Sequence, residues 1–192
     1  MSSFPAFKRH LQAFSDLSDD EFDKILKYFK VRKIKKNRVL VRPGQKVSHT
    51  WWIVKGLMIS TYVDDRGKEH VLQAAVESCW ITDQSAFYHK EKAVFTIVAL
   101  EDTEVLALSF DDRERLCADF HSMEKFFRKK ANDSFTKQQK RLLTYLSSDA
   151  RSRYDLLMSD APEIGHRLSK KVLAAYLGVS RETLSRPFKP KK

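Results

Sequence analysis

The sequence predicts an α+β protein in which a barrel or sandwich of short strands precedes a long helix and then two short helices joined by a tight turn. Three observations carry this. The first is a hydrophobic period of two within residues 31–110, where Val39/Val41, Leu57/Ile59/Thr61/Val63, Val94/Thr96/Val98 and Val105/Ala107 alternate with other residues. Turn residues recur at Pro43-Gly44, Lys55-Gly56 and Asp65-Arg66-Gly67, so the strands are short and closely spaced, the pattern of a sandwich or barrel. The second is residues 121–147, which lack glycine and proline and read as one continuous helix. The third is charge. The formal net charge of +11 is unevenly spread: residues 1–120 hold 19 Lys+Arg against 18 Asp+Glu, a net of +1, whereas residues 121–192 hold 17 against 7, a net of +10. A domain-sized excess of cations suits a polyanion, nucleic acid or an acidic membrane surface, because displacing condensed counterions from phosphates favours binding without any base contact.

Taken in order, residues 16–30 place Leu17, Phe22, Ile25, Leu26 and Phe29 at helical spacing behind a Ser18 N-cap and an acidic first turn. The strand region follows, and helical signals return after Asp111. The long helix is a plausible spine between domains, and Met123, Phe127, Leu142 and Leu146 are the candidate stripe for a dimer seam. No clean heptad supports it, since residues 129–139 are polar apart from Ala131 and Phe135. The expected organisation is residues 1–120, a connecting helix at 121–147, and a C-terminal unit at 148–192.

At 192 residues and 42% hydrophobic, the chain can bury one good core and a small second one. No apolar run approaches the roughly 18 residues that span a bilayer, and Met1-Ser-Ser-Phe-Pro-Ala-Phe lacks a signal pattern, so a soluble cytoplasmic protein is expected. The two cysteines, Cys79 and Cys117, demand no disulfide framework and exclude a four-thiolate site within one chain; buried free thiols are expected.

The strongest local signal lies at residues 168–186, which contain two consecutive helix starts. Ser169 can cap the first helix, with Leu168 and Leu173 as its hydrophobic staple, and Ser180 the second, with Val179 and Leu184. Gly178 between them supplies the positive φ that lets two helices meet steeply across a short turn. Leu173, Ala174, Leu177, Val179 and Leu184 would form the shared core. That arrangement leaves Ser180, Arg181, Glu182, Ser185 and Arg186 on the open side, available to a major groove. Arginine can take guanine O6 and N7 bidentately, glutamate can accept from cytosine N4, and serine can reach base or phosphate. Lys170, Lys171 and Lys189 flank the unit and would sit near backbone phosphates. The competing reading is a structural helical hairpin with a charged outer face.

These residues carry a resemblance. Ser-Arg-Glu-Thr-Leu-Ser-Arg at 180–186 resembles the recognition-helix motif of the Crp-Fnr superfamily, the cyclic-AMP receptor protein and its relatives. Val39-Leu-Val-Arg-Pro-Gly-Gln, Trp52-Ile-Val-Lys-Gly56 and Gly67-Lys-Glu69 resemble the family's jelly-roll strands and turns, in the family's order. The resemblance implies a cyclic-nucleotide-binding-like jelly roll as sensor, a dimer formed on the long helix, and base reading by Arg181, Glu182 and Arg186 on a pseudo-palindromic site in double-stranded DNA. It implies a transcriptional regulator and no enzyme, with RNA polymerase and an unidentified small-molecule effector as further candidate partners.

Departures from the family pattern sharpen these expectations. Where nucleotide-binding members carry Gly-Glu and later Arg followed by Ser or Thr, this chain has Thr82-Asp83 and Ala93-Val94. A cyclic phosphate would meet no guanidinium there, a loss of several kcal/mol on the scale of a truncated buried charge pair, so cyclic AMP and cyclic GMP are not expected as effectors. The cysteine cluster of iron-sulfur members is missing, and His70 and His89 are candidates for a haem ligand, each more ordinary as surface or core. No cofactor is expected. Pro187, where an Ile or Val normally continues the helix, predicts a short recognition helix, and the remaining residues leave no room for a β-hairpin wing. Two alternatives follow: a ligand-binding module with a decayed DNA-binding head, and a cupin-like metalloenzyme. The second is disfavoured because His49, His70 and His89 stand singly.

Overall fold

In the computed structural model, which describes residues 4–185, the alternating segments become eight strands: β1 (Lys30–Ile34), β2 (Val39–Val41), β3 (His49–Lys55), β4 (Met58–Val63), β5 (Glu69–Ala75), β6 (Trp80–Ile81), β7 (Thr96–Ala99) and β8 (Thr103–Ser109). They form two four-stranded antiparallel sheets in the orders β1-β8-β3-β6 and β2-β7-β4-β5, the strand order of a jelly roll. Between the sheets lies an apolar core that includes Val41, Val47, Ile53, Met58, Ile81, Phe87, Ile97 and Val105.

Both sheets are covered on their outer faces too. On β3 and β8, Ile53 and Val105 point inward while the next residues, Trp52 and Leu106, point out and are buried under helices. The cover is α1 (Pro5–Gln12), α2 (Asp19–Leu26) and the first turns of α5 (His121–Ser147), through Phe7, Leu11, Phe22, Ile25, Met123 and Phe126. Ser18 caps α2 as its position predicts, accepting from the Glu21 amide at 3.2 Å. Within this layer the His10 ring accepts from the Trp80 indole at 3.0 Å, and burial, reinforced by Lys130 and Lys137, lowers its pKa to about 4.

Helix α5 runs without interruption over the predicted span, after α4 (Phe110–Asp119). The proposed apolar stripe along it needs correction. Met123 is fully buried in the barrel's own cover layer and cannot form a seam, and Phe127 is half-buried against the same layer. The large hydrophobic residues left exposed are Phe135, Leu142, Leu143, Tyr145 and Leu146, toward the helix C-terminus. Beyond it come α6 (Ala150–Asp160), α7 (Pro162–Arg167), α8 (Lys170–Leu177) and α9 (Arg181–Ser185), the C-terminal head. The head closes over the outer face of the second sheet: Leu157, Ile164, Leu168, Leu173 and Leu177 share one apolar cluster with Leu57, Ile59, Val71, Ala74 and Val76. Among the described residues no helix is long and apolar enough to cross a membrane.

Candidate nucleic-acid interface and sensor cassette

Both caps in the head form. Ser169 Oγ accepts from the Val172 amide at 3.4 Å, and Ser180 Oγ accepts from the Thr183 amide at 3.1 Å. Gly178 ends α8 in the left-handed region at φ 70°, with its amide and that of Val179 bonded back to the last turn. The position is restricted twice, since a Cβ there would also overlap the Tyr145 ring and hydroxyl at the end of α5. Leu173, Ala174 and Leu177 are buried, with Val179 and Leu184 half-buried against the same cluster.

Ser180, Arg181, Glu182 and Ser185 all lie on the exposed side, joined by Thr183, which the sequence reading passed over. Lys170 and Lys171 are exposed on the first turn of α8. Two of the candidates already have local work. Ser180 is committed as the cap and shares a 3.1 Å hydrogen bond with the Thr183 hydroxyl, and the Ser185 hydroxyl donates to the Arg181 carbonyl at 2.8 Å. Arg181 and Glu182 are the longer side chains of this exposed set. Arg186, Pro187 and Lys189 lie outside the described residues.

The cassette is built differently. Asp83 precedes the short helix α3 (Gln84–His89) and is fully buried. Its carboxylate accepts from the Ala86 amide at 3.2 Å as an N-cap, and from the Val94 and Phe95 amides at 3.0 and 3.3 Å across the loop that returns toward β7. Thr82 is also buried, its hydroxyl donating to the His49 carbonyl at 3.0 Å. Ala93 is part of the apolar core between the sheets, and Val94 is exposed. Of the four cassette positions, Asp83 and Val94 are joined directly, and the loop amides at 94 and 95 bond to the chain's own carboxylate. Sequence reading placed Asp83 as a substitution and did not find this role, because its partners lie 11 and 12 residues away in a loop without a period.

Two of the histidines singled out in the sequence, His70 and His49, have partners of their own. His70 bonds Asp64 at 2.8 Å across the β4–β5 turn, which, with the Lys68 and Arg66 amides, holds the Asp64 carboxyl below the usual range. His49 stacks on Trp51. Among the described residues no three or more His, Cys, Asp or Glu side chains gather as a metal site. Cys79 and Cys117 are free, both thiols pushed up by burial.

Residues 31–120 match the family model of the cyclic nucleotide-binding domain. The transcriptional regulatory protein btr of Bordetella pertussis is 29% identical over 110 residues, covering 52% of this chain and 46% of that protein, so the match spans about half the length of this relative. Among solved structures, the catabolite activator protein of Thermus thermophilus aligns over 92% of this chain and 83% of its own, with a TM-score of 0.59 and 22% identity. The c-di-GMP responsive global regulator CLP of Xanthomonas campestris aligns over 85% and 86%, with a TM-score of 0.69 and 15% identity. At these identities the two structures establish likeness of fold, and it extends from the barrel through the long helix into the head.

Proposed function

Because the chain carries a cyclic nucleotide-binding domain at residues 31–120 and has the fold of Crp-Fnr regulators, we propose that it is a sequence-specific DNA-binding transcriptional regulator, not an enzyme, acting as a homodimer without cyclic AMP or cyclic GMP. The observation that carries the reading is the head: a doubly capped two-helix unit presents Arg181 and Glu182 outward within the most basic third of the chain. Arg181 would pair with guanine and Glu182 with cytosine, while Lys170 and Lys171 bind phosphates.

Dimerisation is supported by Phe135, Leu142, Leu143 and Leu146, an apolar set on α5 left uncovered within one chain. Two heads so joined would meet half-sites about one DNA turn apart, roughly 34 Å. Independence from cyclic nucleotides is supported by the cassette. Its amides are occupied by Asp83, and a phosphate seated there would lie against a buried carboxylate and the apolar Ala93 in place of an arginine. RNA polymerase and a small effector of other chemistry remain candidate partners.

The test is selection of genomic DNA fragments by the purified protein across a salt titration, with Arg181→Ala in parallel. A two-fold symmetric motif should emerge, its recovery unchanged by cyclic AMP or cyclic GMP. Arg181→Ala should relax one base position in each half-site and cost about 1–3 kcal/mol. Binding without a motif, following salt alone, would overturn the regulator reading, and a strengthened motif with cyclic nucleotide would overturn the ligand independence.

A further inference from the structure

The apolar cluster between head and barrel has no direction of its own, since burial of Leu173 or Leu177 against Val71 and Val76 tolerates sliding and rotation. Orientation has to come from polar contacts, and one stands at the junction. Arg167, the last residue of α7 and two residues before the Ser169 cap, places its guanidinium between two carboxylates of the barrel. Nη1 and Nη2 donate to Glu77 at 2.6 and 3.3 Å, and Nε and Nη2 donate to Glu101 at 3.1 and 2.7 Å. Both pairs are two-pronged, a geometry that a planar guanidinium fixes and an ammonium cannot.

The two acids belong to different parts of the jelly roll. Glu77 lies in the β5–β6 connection and Glu101 in the β7–β8 connection. Glu77 is itself anchored, accepting from the Gly56 amide at 2.7 Å, so three turns at one end of the barrel converge on one side chain of the head. The hydrogen bonds raise the Arg167 pKa; burial pushes the Glu77 carboxyl up, but Arg167 and Gly56 outweigh it and hold it below its ordinary value. The three side chains keep between 25% and 41% of their surface exposed, so the pairs contribute little to global stability; their value is geometric.

We propose that Arg167, Glu77 and Glu101 form an ionic clasp that fixes the orientation of the head on the barrel, making Arg167 a positioning residue for the recognition helix. The consequence for DNA rests on the regulator reading above; the clasp itself does not. A second tie, Arg141 of α5, donates to the Val71 and Leu72 carbonyls and stacks over Tyr176 at 4.3 Å, but it touches only one strand and can act as a pivot.

The experiment is hydrogen exchange on the full chain for Arg167→Met, Arg167→Lys and Glu101→Gln, followed by binding to duplexes in which the spacing of the two selected half-sites is varied. Exchange in α7 and α8 should rise about tenfold in Arg167→Met and by less in the other two, with the buried start of α5 unchanged. Spacing tolerance should widen in the same order while affinity for a single half-site stays the same. Unchanged exchange in all three variants would overturn the clasp. Raised exchange with an unaltered spacing preference would overturn its positioning role. If the wild type selects no motif, the regulator reading fails and the exchange data still decide the clasp.

Discussion

The cassette and the head treat their backbone amides alike and their side chains in opposite ways. In both, short helices begin at a side-chain cap: Asp83 for α3, Ser169 for α8 and Ser180 for α9. In the cassette the capping group is a carboxylate with two oxygens, and the second reaches across to Val94 and Phe95, closing the loop onto the helix. In the head the caps are single hydroxyls that satisfy only the local turn, and the charged side chains above them face outward. The difference teaches what each region is organised to do alone. The cassette is ordered by one buried carboxyl group that ties a helix to a distant loop, whereas the head is ordered by caps that act within one turn, with its charged side chains exposed.

Breaking the first side should have the largest effect. Asp83→Ala removes the acceptor of three amides, that of Ala86 buried and those of Val94 and Phe95 part-buried, and should cost about 3 kcal/mol, read as a fall in the urea midpoint. A near-neutral Asp83→Ala would mean that those amides find other partners and that the cassette is not ordered by its carboxylate. Breaking the turn of the head comes next. Gly178→Ala pays for a left-handed backbone at φ 70° and for overlap with Tyr145, together about 2 kcal/mol, and should weaken DNA binding while the barrel keeps its exchange protection. Ser180→Ala sharpens the contrast at the small end. Removal of an exposed cap from a five-residue helix should cost about 1 kcal/mol of local order, visible as faster amide exchange at Thr183 with little change in global unfolding.

How far the chain could be read in advance depended on how local each signal is. The two caps, Gly178 and the apolar core of the head sit within 17 residues of one another, at 168–184, and the structure has them as the sequence implies. Helix α5 was legible for the same reason, as an unbroken run. Strands β3 and β5 were not read by period, because sheets covered on both faces bury consecutive residues such as Trp52 and Ile53, which erases the alternation. The dimer stripe was misjudged because a helical face does not announce which part of it its own barrel will take; Met123 went to the barrel and Leu146 did not. Helix α1 and the Arg167 clasp were missed outright. The partners of Arg167 lie 90 and 66 residues upstream, beyond any local pattern.

The apolar cluster shared by head and barrel also bears on how the protein is made. Leu57, Ile59 and Val71 are synthesised about a hundred residues before Leu157, Leu173 and Leu177, which cover them. Until those residues emerge from the ribosome, the barrel carries a sticky flank, the kind of transient surface on which nascent chains aggregate or recruit chaperones. A chain truncated before residue 157 would keep that flank permanently, so the head serves the barrel as a lid during assembly before it serves as anything else.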